Sequence, residues 1–175
     1  DKVQQKTINT NIEKYGVSSP IMLESVQKKM YATKRKNNTF NTSKSEEKMA
    51  LALYNCFGSN DIIRQYKSNE YPFYCDFYIK SLNLYIELNA HWTHGKHYFG
   101  TDGKDYEILE IWNQKTKYSN FYKQAINIWT IYDINKRNIA LKNNINLLVF
   151  WENNLSDFYE WFDNLKNGNI ILNNL

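Results

Sequence analysis

Cysteine, proline and glycine are all scarce in this 175-residue chain, which contains two, two and six of them. Two cysteines without a CxxC spacing exclude a cysteine-built zinc site and a disulfide scaffold. We therefore expect Cys56 and Cys75 to be buried free thiols in a reducing compartment, the cytoplasm. The few glycines form neither a Walker loop nor a GxGxxG loop, and the chain has no HExxH motif.

Long apolar runs are also missing from the chain. No stretch approaches the roughly 18 apolar residues that a membrane-spanning helix needs, so we expect no membrane partner. The chain begins without the basic and apolar pattern of a signal peptide.

Aromatic residues, by contrast, are abundant, at 16% of the chain with 14 tyrosines. Hydrophobic content of 42% and charged content of 23% are typical of a globular protein large enough to bury a core. The net charge of +4 favours a polyanionic partner over an acidic surface.

Residues 1–42 read as an N-terminal arm of short helical pieces separated by breaks. The stretch KKMYATKRK brings together five basic side chains, those of Lys28, Lys29, Lys34, Arg35 and Lys36. Lysine and arginine on one element neutralise backbone phosphates, so this segment predicts contact with DNA. The alternative interpretation is a solvated linker.

The remaining residues, 43–175, predict one α/β domain with a mixed sheet. A capped helix comes first, then strand-like runs that include a hairpin, two helices, a buried strand and a last helix. In chain order these segments are Ser43–Phe57, Asp61–Lys67, Phe73–Lys80, Leu84–Ala90, Tyr106–Lys117, Phe121–Arg137, Asn144–Trp151 and Leu155–Leu165.

Two carboxylates lie in the middle of the hairpin strands, Asp76 in the first and Glu87 in the second. A carboxylate in a buried strand is costly unless something compensates it, and two neighbouring ones repel each other. A hard divalent cation removes both costs, because Mg²⁺ binds one or two carboxylates together with waters. The alternative is that one or both acids face solvent on an edge strand.

More polar residues accompany this pair. Asn89, His91 and His94 follow the second strand closely. Glu46 extends the apolar stripe of the first helix, so we expect its side chain to face inward.

A helix acid, a strand Asp and a strand Glu in this order resemble the PD-(D/E)xK nuclease superfamily, with Asn89 in the place of the family's lysine. The segment NAHWTHG resembles that of very-short-patch repair endonucleases and of related phage and intron homing endonucleases, which use an acid–acid–His–Asp variant of the core. The resemblance implies a restriction-endonuclease-like mixed β-sheet flanked by helices, with a helical N-terminal arm.

The site that this resemblance implies uses Mg²⁺ or Mn²⁺ held by Asp76 and Glu87. Glu46 would bind a second metal ion or a metal-bound water. Asn89 would orient the nucleophile without supplying charge, and His91 or His94 would act as base, acid or phosphate contact. Asp133 is a candidate for orienting one of these histidines.

We therefore expect a metal-dependent endonuclease of double-stranded DNA, phage-encoded or of the homing type, acting in the bacterial or phage-infected cytoplasm. A single site nicks DNA, so double-strand cleavage requires a homodimer. The missing lysine favours the alternative of a non-catalytic DNA-binding module that retains a nuclease-like core. A third candidate is an RNA-processing or mismatch-repair nuclease on the same core.

Overall fold

The computed structural model describes residues 2–20, 23–37, 42–169 and 171–175. The chain divides into two compact units, Asp1–Thr42 and Ser43–Leu175. Within its described residues, the first unit contains the helices α1 (Lys2–Tyr15) and α2 (Glu24–Asn37). The predicted break between helical pieces falls between them, and α2 includes the whole basic stretch KKMYATKRK.

The second unit follows the predicted order of helices and strands. Its elements are α3 (Lys44–Phe57), β1 (Ile62–Tyr66), β2 (Cys75–Ile79), β3 (Leu84–Leu88), a 3-10 turn (Trp92–His94), α4 (Asp105–Lys115), α5 (Asn120–Asn127), a π-helical turn (Ile128–Tyr132), α6 (Asp133–Lys142), β4 (Asn146–Phe150) and α7 (Ser156–Lys166). The α/β class is therefore confirmed. Among the described residues, no helix has the length and apolar character to span a bilayer.

The sheet has four strands in the order β1-β2-β3-β4. β1 pairs antiparallel with β2, β2 pairs antiparallel with β3, and β3 pairs parallel with β4. This arrangement confirms the predicted mixed sheet and the predicted hairpin. β3 lies in the interior of the sheet, which explains why four of its five residues are buried.

Helices cover both faces of the sheet. On one face, α3 and α7 pack through Met49, Leu53 and Phe158 against strand residues such as Phe77 and Ile86. The opposite face has a second core that is rich in tyrosine and includes α6. Its buried members are Tyr71, Cys75, Tyr85, Tyr98, Ala140, Ile145, Leu147 and Val149.

The start of α3 follows the predicted capping pattern. The Ser43 hydroxyl accepts a hydrogen bond from the Glu46 N–H at 3.0 Å, which satisfies one free donor of the first turn. Gly58 ends the helix with a φ of 78°. The cap fixes the first turn of α3, and Glu46 is buried there.

The expectation of two buried thiols is wrong for one cysteine. Cys75 is buried in the sheet, as expected, but Cys56 is exposed. Cys56 lies in the last turn of α3, whose buried side is formed by Met49, Ala50 and Leu53. The thiol therefore lies off the face of the helix that packs on the sheet.

The predicted helix Phe121–Arg137 is longer than expected and is not uniformly α-helical. α5, the π-helical turn and α6 follow one another without a break from Asn120 to Lys142. Trp129 in the π-helical turn is fully buried and donates its Nε1–H to the His97 carbonyl at 2.7 Å. This contact fixes the loop after the 3-10 turn to the long helix.

Gly95 ends the 3-10 turn with a φ of 64°. A Cβ atom at this position would lie 2.0 Å from Cε2 of Trp129. Gly100 in the same loop has a φ of 88°, but a Cβ atom there would have no other atom within 4 Å. The two glycines therefore share a left-handed backbone and differ in how closely another residue approaches.

We expect Gly95→Ala to lower the free energy of unfolding by about 2–4 kcal/mol, because it adds a steric clash to the cost of the left-handed backbone. Gly100→Ala has only the backbone cost, about 1 kcal/mol. Urea denaturation of both variants measures the difference. Equal losses would contradict the close approach of Gly95 to Trp129.

Candidate active site

Asp76 and Glu87 lie on neighbouring antiparallel strands. Phe77 pairs with Ile86, and the same register places Asp76 opposite Glu87. Residues directly opposite each other in an antiparallel pair share one face of the sheet. Because Phe77 and Ile86 face the core under α3 and α7, the two carboxylates belong to the face that packs against α6.

The Asp76 carboxylate is held at the end of the hairpin by two donors. The Leu88 N–H donates to Oδ2 at 2.8 Å, and the Gln65 Nε2 donates to Oδ1 at 3.1 Å. Burial and, next, repulsion from Glu87 nevertheless raise the pKa of Asp76 to about 7. The negative charge of this carboxylate is therefore incompletely compensated, which is a common property of acids at functional sites.

Both oxygens of Glu87 have partners. The Tyr71 hydroxyl donates to Oε1 at 2.6 Å, and the Lys136 ammonium donates to Oε2 at 2.5 Å. Burial and the Glu87 charge raise the pKa of Tyr71 well above its usual value, so this residue is a neutral phenol donor. Glu87, which is 3% exposed, is thus a buried carboxylate with a fixed orientation.

The long helix supplies further groups to this face of the sheet. Asp133 and Lys136 lie one turn apart on α6, and Asp133 is 1% exposed. The Asp133 Oδ2 lies 2.8 Å from Nδ1 of His94. In the tautomer whose Nδ1–H donates a hydrogen bond to Asp133, the free lone pair of the ring lies on Nε2, which is the arrangement that a general base requires.

The position of His94 depends on the contacts made by Trp129. His94 precedes Gly95, which packs closely on Trp129, and the π-helical turn that contains Trp129 leads directly into Asp133. π-helical turns are often found at functional sites, because they change the direction in which the next turn presents its side chains.

The remaining acid of the expected set, Glu46, faces inward but already has a cationic partner. Arg64 Nη2 lies 3.0 Å from Glu46 Oε1 and 2.8 Å from Glu47 Oε1. The Glu46 charge also contributes to the raised pKa of Asp76. Glu46 therefore belongs to the electrostatic surroundings of the site, and its direct role stays a prediction.

The two other expected residues have different surroundings. Asn89 is 6% exposed, and its backbone N–H continues the sheet by donating to the Phe150 carbonyl at 2.8 Å. His91 is exposed, its Nδ1 lies 3.0 Å from the Thr93 hydroxyl, and its ring contacts Trp92 and Phe121. The structure thus brings His94, rather than His91, to one of the site acids.

The five predicted DNA contacts all belong to α2 in the first unit. Lys29 is exposed and Lys34 is half-buried. The side chains of Lys28, Arg35 and Lys36 lie outside the described residues. Their contact with DNA stays a prediction.

The carboxylates fit a hard divalent cation by their donor chemistry. Each carboxylate has about four acceptor directions, so Asp76 and Glu87 retain oxygen lone pairs beyond the hydrogen bonds they accept. Within residues 2–20, 23–37, 42–169 and 171–175, no group of three or more His, Cys, Asp or Glu is arranged to hold a metal ion. Mg²⁺ keeps several waters and needs only one or two protein carboxylates, so the donor chemistry of the pair is of the type that this ion uses.

Sequence reasoning did not assign Lys136, Tyr71 or Arg64 to the site. Lys136 had a usable signal, because it lies one helical turn after Asp133 in a charged segment. Tyr71 and Arg64 had none, since only the folded sheet shows which acids their polar groups reach.

Comparison of the chain with protein-family models, with curated proteins and with solved structures finds no match. The functional interpretation therefore depends on the residues of the site and on their surroundings.

The raised pKa of Asp76 predicts how stability changes with pH in a chelator-containing buffer. Between about pH 4 and pH 7 the unfolded chain has lost the Asp76 proton while the folded protein retains it, so this group makes the protein less stable as pH rises. We expect Asp76→Asn to be more stable than the wild type at pH 8, by about 2–4 kcal/mol, and to lose this advantage near pH 4.

The matched control is Asp163→Asn, which removes an exposed carboxylate of α7. Thermal unfolding across this pH range measures both differences. A stability difference for Asp76→Asn that does not change with pH would show that the carboxyl has no raised pKa.

Proposed function

We propose that this chain is a metal-dependent endonuclease that hydrolyses phosphodiester bonds of double-stranded DNA, as a phage-encoded or homing-type member of the PD-(D/E)xK superfamily. The observation that carries the proposal is the pair of half-buried Asp76 and buried Glu87, two acids opposite each other on adjacent strands. The raised pKa of Asp76 supports it, because a nearby cation would relieve the cause of that shift.

The arrangement of elements supports a restriction-endonuclease-like core. The acids lie on an antiparallel hairpin, the next strand of the sheet is parallel to its second strand, and a helix bearing Glu46 precedes the hairpin. Fold alone does not define an activity, because the chemistry belongs to the side chains of the site.

In this proposal Asp76 and Glu87 would hold the ion. Mg²⁺ or Mn²⁺ held there would supply Lewis-acid chemistry, namely polarisation of the phosphate and activation of a water. Tyr71 keeps Glu87 in one orientation by its hydrogen bond to Oε1. Glu46, which bonds Arg64 in this structure, would bind a second ion or an ordered water.

Proton transfer in this proposal belongs to His94. Asp133 fixes the ring through Nδ1 and leaves Nε2 to take the proton of the attacking water or, once protonated, to donate to the departing 3′ oxygen. The water oxygen forms the new bond to phosphorus, and the bond from phosphorus to the 3′ oxygen breaks.

A plasmid-cleavage assay with Mg²⁺ and with Mn²⁺ tests the proposal. We expect the wild type to cut, and Asp76→Asn and Glu87→Gln each to reduce the rate about 10³-fold or more, because each removes a charged ligand. Glu160→Gln, an exposed acid of α7, is the matched control and should retain the wild-type rate. Cleavage that survives both site substitutions would reject the assignment.

The second candidate is a non-catalytic DNA-binding module that retains this core. The observation that favours it is the presence of internal donors on both oxygens of Glu87, together with the uncharged Asn89. It predicts retardation of duplex DNA without cleavage in either metal.

In the plasmid assay of the nuclease proposal, the form of the cut plasmid also separates nicking by one subunit from double-strand cleavage by a homodimer.

Contact between α2 and DNA is a separate part of the proposal. Each phosphate contact contributes about 0.9 to the slope of log K against log salt concentration. We expect the double variant Lys29→Gln and Lys34→Gln to reduce that slope by about two. The control pair Lys80→Gln and Lys166→Gln, which lie on the second unit, should leave it unchanged. An unchanged slope in the α2 variant would exclude contact through these two lysines.

A further inference from the structure

Lys136 contacts Glu87, and the proposed mechanism gives its ammonium no role. The ammonium lies 2.5 Å from Glu87 Oε2, and the Lys136 side chain is 23% exposed whereas that of Glu87 is 4% exposed. The amine therefore lies where the buried carboxylate meets solvent, which is also where a phosphate would have to approach.

Three acids surround this ammonium. Glu87 contacts it directly, and Asp76 and Asp133 interact with it electrostatically. Lys136 therefore supplies a positive charge among three acids.

A structural role does not account for Lys136 fully. Glu87 already has the buried Tyr71 hydroxyl at 2.6 Å as a neutral partner that fixes its orientation. Arg137, the next residue on α6, has its guanidinium 5.0 Å from the centre of the Tyr98 ring. Of these two cations on α6, Lys136 is the one bonded to a site carboxylate.

The end of β3 supplies no positive charge of its own. Asn89 is an uncharged amide and is 6% exposed. A phosphate approaching two acids needs fixed positive charge, because its own negative charge is repelled and grows during the reaction.

We propose that Lys136 is a catalytic residue whose ammonium binds a non-bridging oxygen of the scissile phosphate. It supplies from α6 the positive charge that the uncharged Asn89 does not provide. This inference rests on the proposed nuclease function. In the free protein Glu87 holds the ammonium in place, and with DNA bound the phosphate oxygen becomes its further acceptor, since an ammonium has three donors.

The test compares two measurements, Mn²⁺ affinity and cleavage rate. If Lys136 only held the site together, its loss would lower both. Lys136→Met removes a positive charge beside two metal-binding acids, so we expect Mn²⁺ affinity, followed by electron paramagnetic resonance, to stay the same or to increase. The single-turnover cleavage rate at saturating Mn²⁺ and DNA should fall about 10²–10³-fold, as for loss of one group that stabilises the transition state. Lys136→Arg should retain part of the rate.

The matched control is Lys142→Met, which removes an exposed lysine from the last turn of the same helix and should leave both measurements unchanged. A second route covers the case in which Lys136→Met fails to fold. In a Cys56→Ser background, Lys136→Cys is alkylated with 2-bromoethylamine, which restores a primary amine at nearly the same length, or with iodoacetamide, which leaves the residue neutral. Only the aminoethylated protein should regain cleavage.

Each outcome decides the inference. A fall in cleavage with unchanged or tighter Mn²⁺ binding supports it. Wild-type cleavage by Lys136→Met, loss of Mn²⁺ affinity in step with the rate, or equal activity of the two alkylated proteins overturns it while leaving the nuclease proposal intact. A wild-type protein that binds Mn²⁺ and DNA but never cuts overturns both.

Discussion

The opposition of two acids across an antiparallel pair of strands is the constraint on which the rest of the site depends. Asp76 and Glu87 share one face of the sheet because their strands pair in a fixed register. A slip of one residue would turn one acid toward the core under α3 and α7 and would remove the pair. The packing of the hydrophobic core therefore also fixes the position of the charges.

The surroundings of the pair compensate its charge only partly. Tyr71 and Lys136 bond both oxygens of Glu87, whereas Asp76 has an amide and a backbone N–H and retains a raised pKa. Such an unequal arrangement leaves one acid prepared to accept a further cation.

Much of the fold can be predicted from local sequence. The capping serine Ser43 and the alternation in the β2 strand are short-range signals, and both correspond to what the structure shows. The exposure of Cys56 cannot be predicted in this way, because burial in the last turn of a helix depends on where the sheet ends. The π-helical turn before Asp133, which contains the buried Trp129, has no local signal either.

The acids of the candidate site can be predicted from the sequence, but the groups that donate hydrogen bonds to them cannot. Asp76 and Glu87 stand out because a carboxylate in an apolar strand is rare. The partners Tyr71 and Lys136 lie 16 and 49 residues from Glu87 in sequence, so only the folded chain brings them to it. The link between His94 and Asp133, at a separation of 39 residues, is a candidate from the sequence and is present in the structure.

The most direct test of the central claim is anomalous X-ray scattering from crystals of the protein soaked in Mn²⁺. The account predicts one strong anomalous peak bound by carboxylate oxygens of both Asp76 and Glu87. An absence of manganese at this pair, at a concentration that supports DNA cleavage, would contradict it.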